Sequence, residues 1–219
     1  MEKDFWHSKW KNNETGFHLQ HPNPNLVKHL DCFDLGQPSL IFVPLCGKTV
    51  DMPYLTQLGH HIVGVELSEK AIIELFKSLE IDPVIDTWTG GLVYQSERLK
   101  IYVGDFFELT PNLVGPIDFV YDRAALVALP QQTRPIYTKH LTHISGSAAQ
   151  LLITMAYNQH EMDGPPFSVS EKEVRRHYEC HQKITLLDCN DILEQNPRFK
   201  NAGLTALEER VYKLEPKLA

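Results

Sequence analysis

The sequence predicts an α/β protein: a doubly wound, mostly parallel seven-stranded sheet with one antiparallel edge strand. Three observations carry this expectation. From residue 40 onward, short apolar runs rich in β-branched and aromatic residues alternate with helical patterns. The first run, Ile41-Phe42-Val43, ends in the tight turn Pro44-Leu45-Cys46-Gly47, and the second, residues 62–67, carries an acid near its end, Glu66. The 219 residues are enough for one domain with a large core. The expected organisation is a single domain over residues 1–219, with residues 1–35 as an N-terminal helical lid and 36–219 as a Rossmann-like core.

The elements follow in order. Residues 1–35 are polar and aromatic, broken by Pro22 and Pro24. Trp6 and Trp10 are four apart and share a face if that segment is helical; residues 25–34 read as a short amphipathic helix. Residues 40–45 are the first strand, and 48–58 a helix closed by Gly59. After the second strand Ser68 caps a helix with Ala71, Ile72, Leu75, Phe76 and Leu79 on its apolar face. Residues 83–96 interrupt the alternation, and Gly90-Gly91 suggests a hairpin turn. Residues 99–103 are the third strand, ending at Gly104-Asp105-Phe106-Phe107. Residues 117–121 are the fourth, ending at Asp122-Arg123. Pro130 opens a helix to about residue 143, and 149–156 form the fifth strand. After Gly164-Pro165-Pro166-Phe167, the segment Ser170 to Glu173 is a capping box. Residues 184–187 and 211–214 are the last two strands.

In such a sheet, ligands bind beyond the C-terminal strand ends. A strand, a glycine turn, a helix and a strand tipped by a carboxylate form a nucleotide-binding half-unit, in which Glu66 can accept hydrogen bonds from both ribose hydroxyls. Gly47 stands alone between residues 40 and 55, so the three-glycine dinucleotide fingerprint is missing. A pyrophosphate needs that close backbone approach; an adenosyl-amino acid has no phosphate and can do with one glycine. The pattern therefore favours S-adenosylmethionine over a nicotinamide dinucleotide. An ordinary βαβ unit that binds nothing has the same outline.

Asp105 and Phe106 can meet an adenine edge and face, or simply form a strand-to-loop turn with a core ring. Arg123 lies between an apolar strand and the apolar run Ala124 to Leu129, where a guanidinium needs an anionic or aromatic partner. Trp6, Trp10 and Phe17 can form an aromatic cover suited to a sulfonium, or can pin the N-terminus to the core. His177 and His181 share a helix face, but no third ligand at suitable spacing supports a metal. Cys46 as a nucleophile has only Lys48 nearby as a local activator; a small residue filling the turn is the plainer reading. The net charge of −7 and the lack of a basic tract argue against nucleic acid. The charged start and the lack of a long apolar run argue against a signal peptide or membrane span. Four scattered cysteines suit a reducing cytoplasm.

Several motifs together resemble the thiopurine S-methyltransferase family: FWHSKW, Gly16-Phe17-His18, VPLCGKTVDM, Gly64-Val65-Glu66, YDRAALVAL and Gly164-Pro165-Pro166-Phe167. The likeness runs over almost the whole chain, and the start and C-terminal segment are similar to the bacterial branch. It implies a class I methyltransferase that moves a methyl group from S-adenosylmethionine to the sulfur of aromatic or heterocyclic thiols, releasing S-adenosylhomocysteine; an isolated Rossmann-like domain with no obvious exposed apolar stripe is itself compatible with a monomer. By the same resemblance Trp10, Leu45, Glu66 and Arg123 border the S-adenosylmethionine site, with Phe106 near the adenine. Phe17, Arg123 and Arg198 face the acceptor, and Arg123 carries the catalytic charge. The motif around Arg198 differs in length from that of the animal members. Small thiols, or selenium and tellurium species, are alternative acceptors, and a non-catalytic S-adenosylmethionine-binding module is an alternative role.

Overall fold

The computed structural model describes residues 3–16 and 18–217. They fall into two compact units, one comprising residues up to Tyr121 together with Ile144–Gly146, the other Asp122–His143 and Ser147 onward.

The first unit opens with α1 (Lys3–Lys11) and α2 (Pro24–His29), the latter continued by a 3-10 turn, Leu30–Phe33, in place of the single longer helix expected. Asn23 caps α2, its side chain accepting from the Asn25 and Leu26 amides. Next come β1 (Leu40–Val43), α3 (Asp51–Gln57), β2 (His61–Glu66), α4 (Glu69–Ser78), β3 (Val84–Trp88), β4 (Gly91–Gln95), β5 (Leu99–Val103), α5 (Pro111–Val114) and β6 (Phe119–Arg123). Their sheet runs β3-β4-β5-β2-β1-β6. The segment from β5 to β6 is parallel, and its interior residues, including Ile41, Phe42, Val65, Ile101 and Phe119, are fully buried. Nearly continuous apolar strands of this kind need cover on both faces.

The expected hairpin turn is there, but it joins two true strands. β3 and β4 pair antiparallel and continue onto β5, so this edge gains two antiparallel strands beyond the seven expected. The turn packs tightly on the end of β5. Gly91 has φ +150°, and a Cβ there would stand 2.3 Å from the Val103 carbonyl oxygen. Gly91→Ala should therefore cost about 2–3 kcal/mol, combining backbone strain with overpacking. Urea unfolding measures it, and a loss below about 0.5 kcal/mol would show that the hairpin yields freely.

The second unit holds the last two residues of β6, nearly all of α6 (Arg134–Ile144), and then β7 (Ala149–Ala156), α7 (Glu171–Tyr178), β8 (Gln182–Asp191), α8 (Pro197–Asn201) and β9 (Glu208–Pro216). Its strands run β7-β9-β8, with β9 antiparallel to both neighbours. The antiparallel strand is thus one place in from the edge expected for it. Val211, Tyr212 and Leu214 are fully buried on β9, whereas β8 ends in exposed Cys189, Asn190 and Asp191. Ser170 caps α7 by accepting from the Glu173 amide, as its sequence box requires. Among the described residues, no helix is long and apolar enough to cross a membrane.

Candidate active site

In the first unit the turn after β1 and the end of β2 close on one carboxylate. Glu66 is 6% exposed; its Oε2 accepts from the Gly47 amide at 2.8 Å and its Oε1 from the Ser68 amide at 2.8 Å. Burial raises its pKa and these amides oppose the rise. Each oxygen keeps a lone pair for a further donor, as two ribose hydroxyls require. Leu45 and Gly47 both take positive φ, +45° and +53°. Such a conformation is uncommon for leucine and clusters at ligand-binding turns. Cys46 is buried beside them, its amide bonded to the Val65 carbonyl. Desolvation, reinforced by the charge of Glu66, pushes its thiol well above the usual range, which favours the turn-filling role over the nucleophile.

A cleft of about 650 Å³ opens in the same unit beside Leu67 and Ser68, just past Glu66. Trp10 of α1, Ser68 and Lys70 beyond β2, Gly90 of the hairpin turn, and Val103 and Gly104 at the end of β5 line it. Trp10 is 3% exposed, while Trp6 is half-buried with its ring edge-on to Phe5 at 5.3 Å. Phe17, expected in an aromatic cover with them and at the acceptor, lies outside the described residues. Asp105 caps a 3-10 turn through the Phe107 amide at 3.0 Å and pairs with Lys3 of α1 at 3.0 Å. That turn sends the Phe106 ring inward, 1% exposed and stacked 6.5 Å from Phe42, so its face meets the core rather than the cleft. The hairpin wall and the Lys3 contact were not foreseen, because neither Gly90-Gly91 nor an exposed lysine carries a local sign of where it docks. Nor was buried Asp51, which accepts from the Asn23 amide at 2.6 Å and the Tyr121 hydroxyl at 2.9 Å and ties the N-terminal segment to this turn.

In the second unit Arg123 ends β6 just before Ala124, another non-glycine residue at positive φ, +62°. Fully buried Asp122 fixes this bend by accepting from the Leu126 amide at 3.1 Å and the Tyr137 hydroxyl at 2.7 Å. Burial raises the Asp122 pKa to about 6. The folded value lies above the unfolded one, so ionising this group works against folding as pH rises from about 4 to about 6. Arg198, on α8, lies with its guanidinium carbon 4.4 Å from the Phe199 ring centroid. Its pKa is lowered by burial and then by the charge of Arg123, so the two expected acceptor arginines feel one another. His177 bonds Glu173 at 3.3 Å, and among the described residues no group of three His, Cys, Asp or Glu side chains gathers to hold a metal.

A parallel sheet, a single-glycine turn and a buried acid closing β2 define a class I S-adenosylmethionine-dependent methyltransferase. Solved structures share the fold. A Burkholderia thailandensis 1,6-didemethyltoxoflavin-N1-methyltransferase, solved with S-adenosylhomocysteine, superposes with TM-score 0.61 at 15% identity, over 97% of this chain and 87% of that one. TehB from Haemophilus influenzae gives 0.61 at 12% identity, over 98% and 67%. The chain belongs to the thiopurine S-methyltransferase family, whose model matches residues 1–217. The thiopurine S-methyltransferase of Pseudomonas fluorescens (strain Pf0-1) is 39% identical over 98% of this chain and 99% of its own length. That of Pseudomonas aeruginosa PAO1 is 42% identical over the same shares.

Proposed function

We propose that the chain transfers a methyl group from S-adenosylmethionine to the sulfur of aromatic and heterocyclic thiols, thiopurines among them. Beyond the family itself, the electrostatic influence of Arg123 on Arg198 supports this reading: two guanidiniums that feel one another favour an anionic acceptor. When bound, S-adenosylmethionine supplies a sulfonium-activated methyl; the acceptor sulfur forms the new carbon–sulfur bond as the old one breaks, and its electron pair stays with S-adenosylhomocysteine. Glu66 receives the ribose hydroxyls, Trp10 and Leu45 border the same ligand, and Asp105, with Phe106 packed behind it, stands at the adenine. Arg123 is the catalytic cation, stabilising the acceptor as thiolate, and Arg198 and Phe17 help to hold the acceptor. A thiolate is a strong nucleophile, so the protein needs no dedicated base; its task is alignment of the reacting atoms.

Labelled methyl transfer from S-adenosylmethionine to 6-mercaptopurine by the purified protein tests the reaction. Absence of transfer, with the donor still bound, overturns the acceptor class. Arg123→Ala should lower this transfer by about 1.5–3 kcal/mol, roughly 10- to 150-fold, without abolishing it. An unchanged rate removes Arg123 from the reaction. The same reading makes residues 1–219 one catalytic domain, a cytoplasmic monomer acting on small molecules with no nucleic-acid or membrane partner. Exposed thiols at Cys180 and Cys189 and the net charge of −7 support it. Light scattering tests the monomer.

A further inference from the structure

Trp10 is gripped from two directions within the first unit. Lys70, the second residue of α4, donates from Nζ to the Trp10 carbonyl at 2.9 Å, the Asn13 Oδ1 at 2.8 Å and the Lys11 carbonyl at 3.4 Å. The two carbonyls belong to the last turn of α1, where the helix supplies no donors and a cation suits the macrodipole. Lys48, in the turn after β1, places Nζ 6.0 Å from the Trp10 ring centroid. The two lysines share one counter-charge. Glu74, one turn along α4 from Lys70, accepts from Lys48 at 2.7 Å and stands 3.7 Å from Lys70. The Lys48 hydrogen bond, followed by the charges of both lysines, holds its carboxyl below the ordinary range against some desolvation.

We propose that Lys48, Glu74 and Lys70 form an ionic bridge that positions Trp10 as a wall of the cofactor cleft, with Glu74 as its hub. The inference rests on reading that cleft as the S-adenosylmethionine site. None of the three is a catalytic residue; Lys48 and Glu74 act through Trp10, and Lys70 both holds Trp10 and lines the cleft beside it. The side chains are 25–41% exposed, so a lone pair of this kind contributes little and is screened by salt. Here one carboxylate orders two lysines, and both hold the same tryptophan before the ligand arrives, which reduces what must be ordered on binding. Cofactor affinity should therefore depend on ionic strength, although the Glu66 contacts are buried.

The test is calorimetric binding of S-adenosylhomocysteine to the full chain at low and high salt. Glu74→Gln and Lys70→Met should each weaken binding by about three- to tenfold and flatten its salt dependence. Lys70→Arg, which can still reach the carbonyls, should restore most of the affinity. In Glu74→Gln, KM for the donor should rise by the same factor with kcat little altered, and the unliganded thermal midpoint should stay within a degree or two of wild type. Affinity within twofold of wild type in both Glu74→Gln and Lys70→Met overturns the bridge, as does a loss matched by a fall in the unliganded midpoint. Glu66→Ala in the same series separates the two readings. If it weakens binding while the bridge variants do not, only the bridge fails; if it too binds normally, the cleft is misread and the bridge falls with it.

Discussion

Arg134→Met should destabilise the protein by about 3–5 kcal/mol, the cost of stripping one partner from a buried ion pair. Arg134 is 2% exposed and spends its donors within the second unit: Nε on the Leu129 carbonyl at 2.8 Å, and Nη1 on the Ser168 carbonyl at 3.0 Å and Glu173 at 2.9 Å. Its guanidinium also lies 5.8 Å from the centre of the Phe167 ring. Methionine fills much of the space but leaves a nearly buried carboxylate with only His177 at 3.3 Å and exposed Arg176 at 3.8 Å. In the native protein burial raises the Glu173 pKa, yet His177 and Arg134 outweigh it and the net shift is downward. A depressed carboxylate stabilises the fold above its unfolded pKa, and that stability is lost as pH falls through the folded value. The variant lacks this contribution, so the gap between the two proteins should narrow on acidification toward pH 4. Urea unfolding at neutral and acid pH measures both effects. Arg134→Met combined with Glu173→Leu should recover much of the loss, since a paired deletion leaves no stranded charge. A single-variant loss below about 1 kcal/mol would mean that the pair is more hydrated than its burial implies.

Glu66→Ala should weaken S-adenosylmethionine binding by about 3–4 kcal/mol, roughly 150- to 900-fold. The substitution removes the acceptor for the ribose hydroxyls and also leaves the Gly47 and Ser68 amides without theirs. Glu66→Gln should lose less, because its amide oxygen can still accept from one of them. Titration calorimetry decides, and unaltered affinity in the alanine variant contradicts the ribose assignment. The pH dependence has a definite sign. Burial raises the Glu66 pKa, and hydroxyl donors favour the ionised form, so affinity should climb as pH rises through that titration and level off above it.

The place of Glu66 beside the turn glycine was legible because it depends on local spacing: an acid near the end of the second strand, about 20 residues after Gly47. The parallel strands were legible for a similar reason, since burial on both faces demands unbroken apolar runs such as Ile41 to Val43. β3 was not, because its outer residues face water; Val84 is 70% and Ile85 53% exposed, and the run has no buried face to set a period. The far ends of β8 and β9 were missed because exposed polar residues such as Asn190 extend strands without apolar signal. Arg134 with Glu173, and Lys48 with Glu74, are 39 and 26 residues apart, and only the fold brings them together. The left-handed turns at Leu45 and Ala124 left no trace, because ordinary residues occupy positions where glycine would have announced the bend.

Cys46 has a chemical consequence for an enzyme of this kind. In the proposed reaction the neighbouring Leu45 borders a potent methylating agent, and the protein methylates sulfur for a living. A thiolate at Cys46 would be a rival acceptor, and its alkylation would disable the turn permanently. Burial and the adjacent Glu66 charge push the Cys46 thiol up, away from the thiolate form. The same desolvated carboxylate that is proposed to grip the donor's ribose thus also disfavours the thiolate at its neighbour, the form in which an internal sulfur would compete with the acceptor.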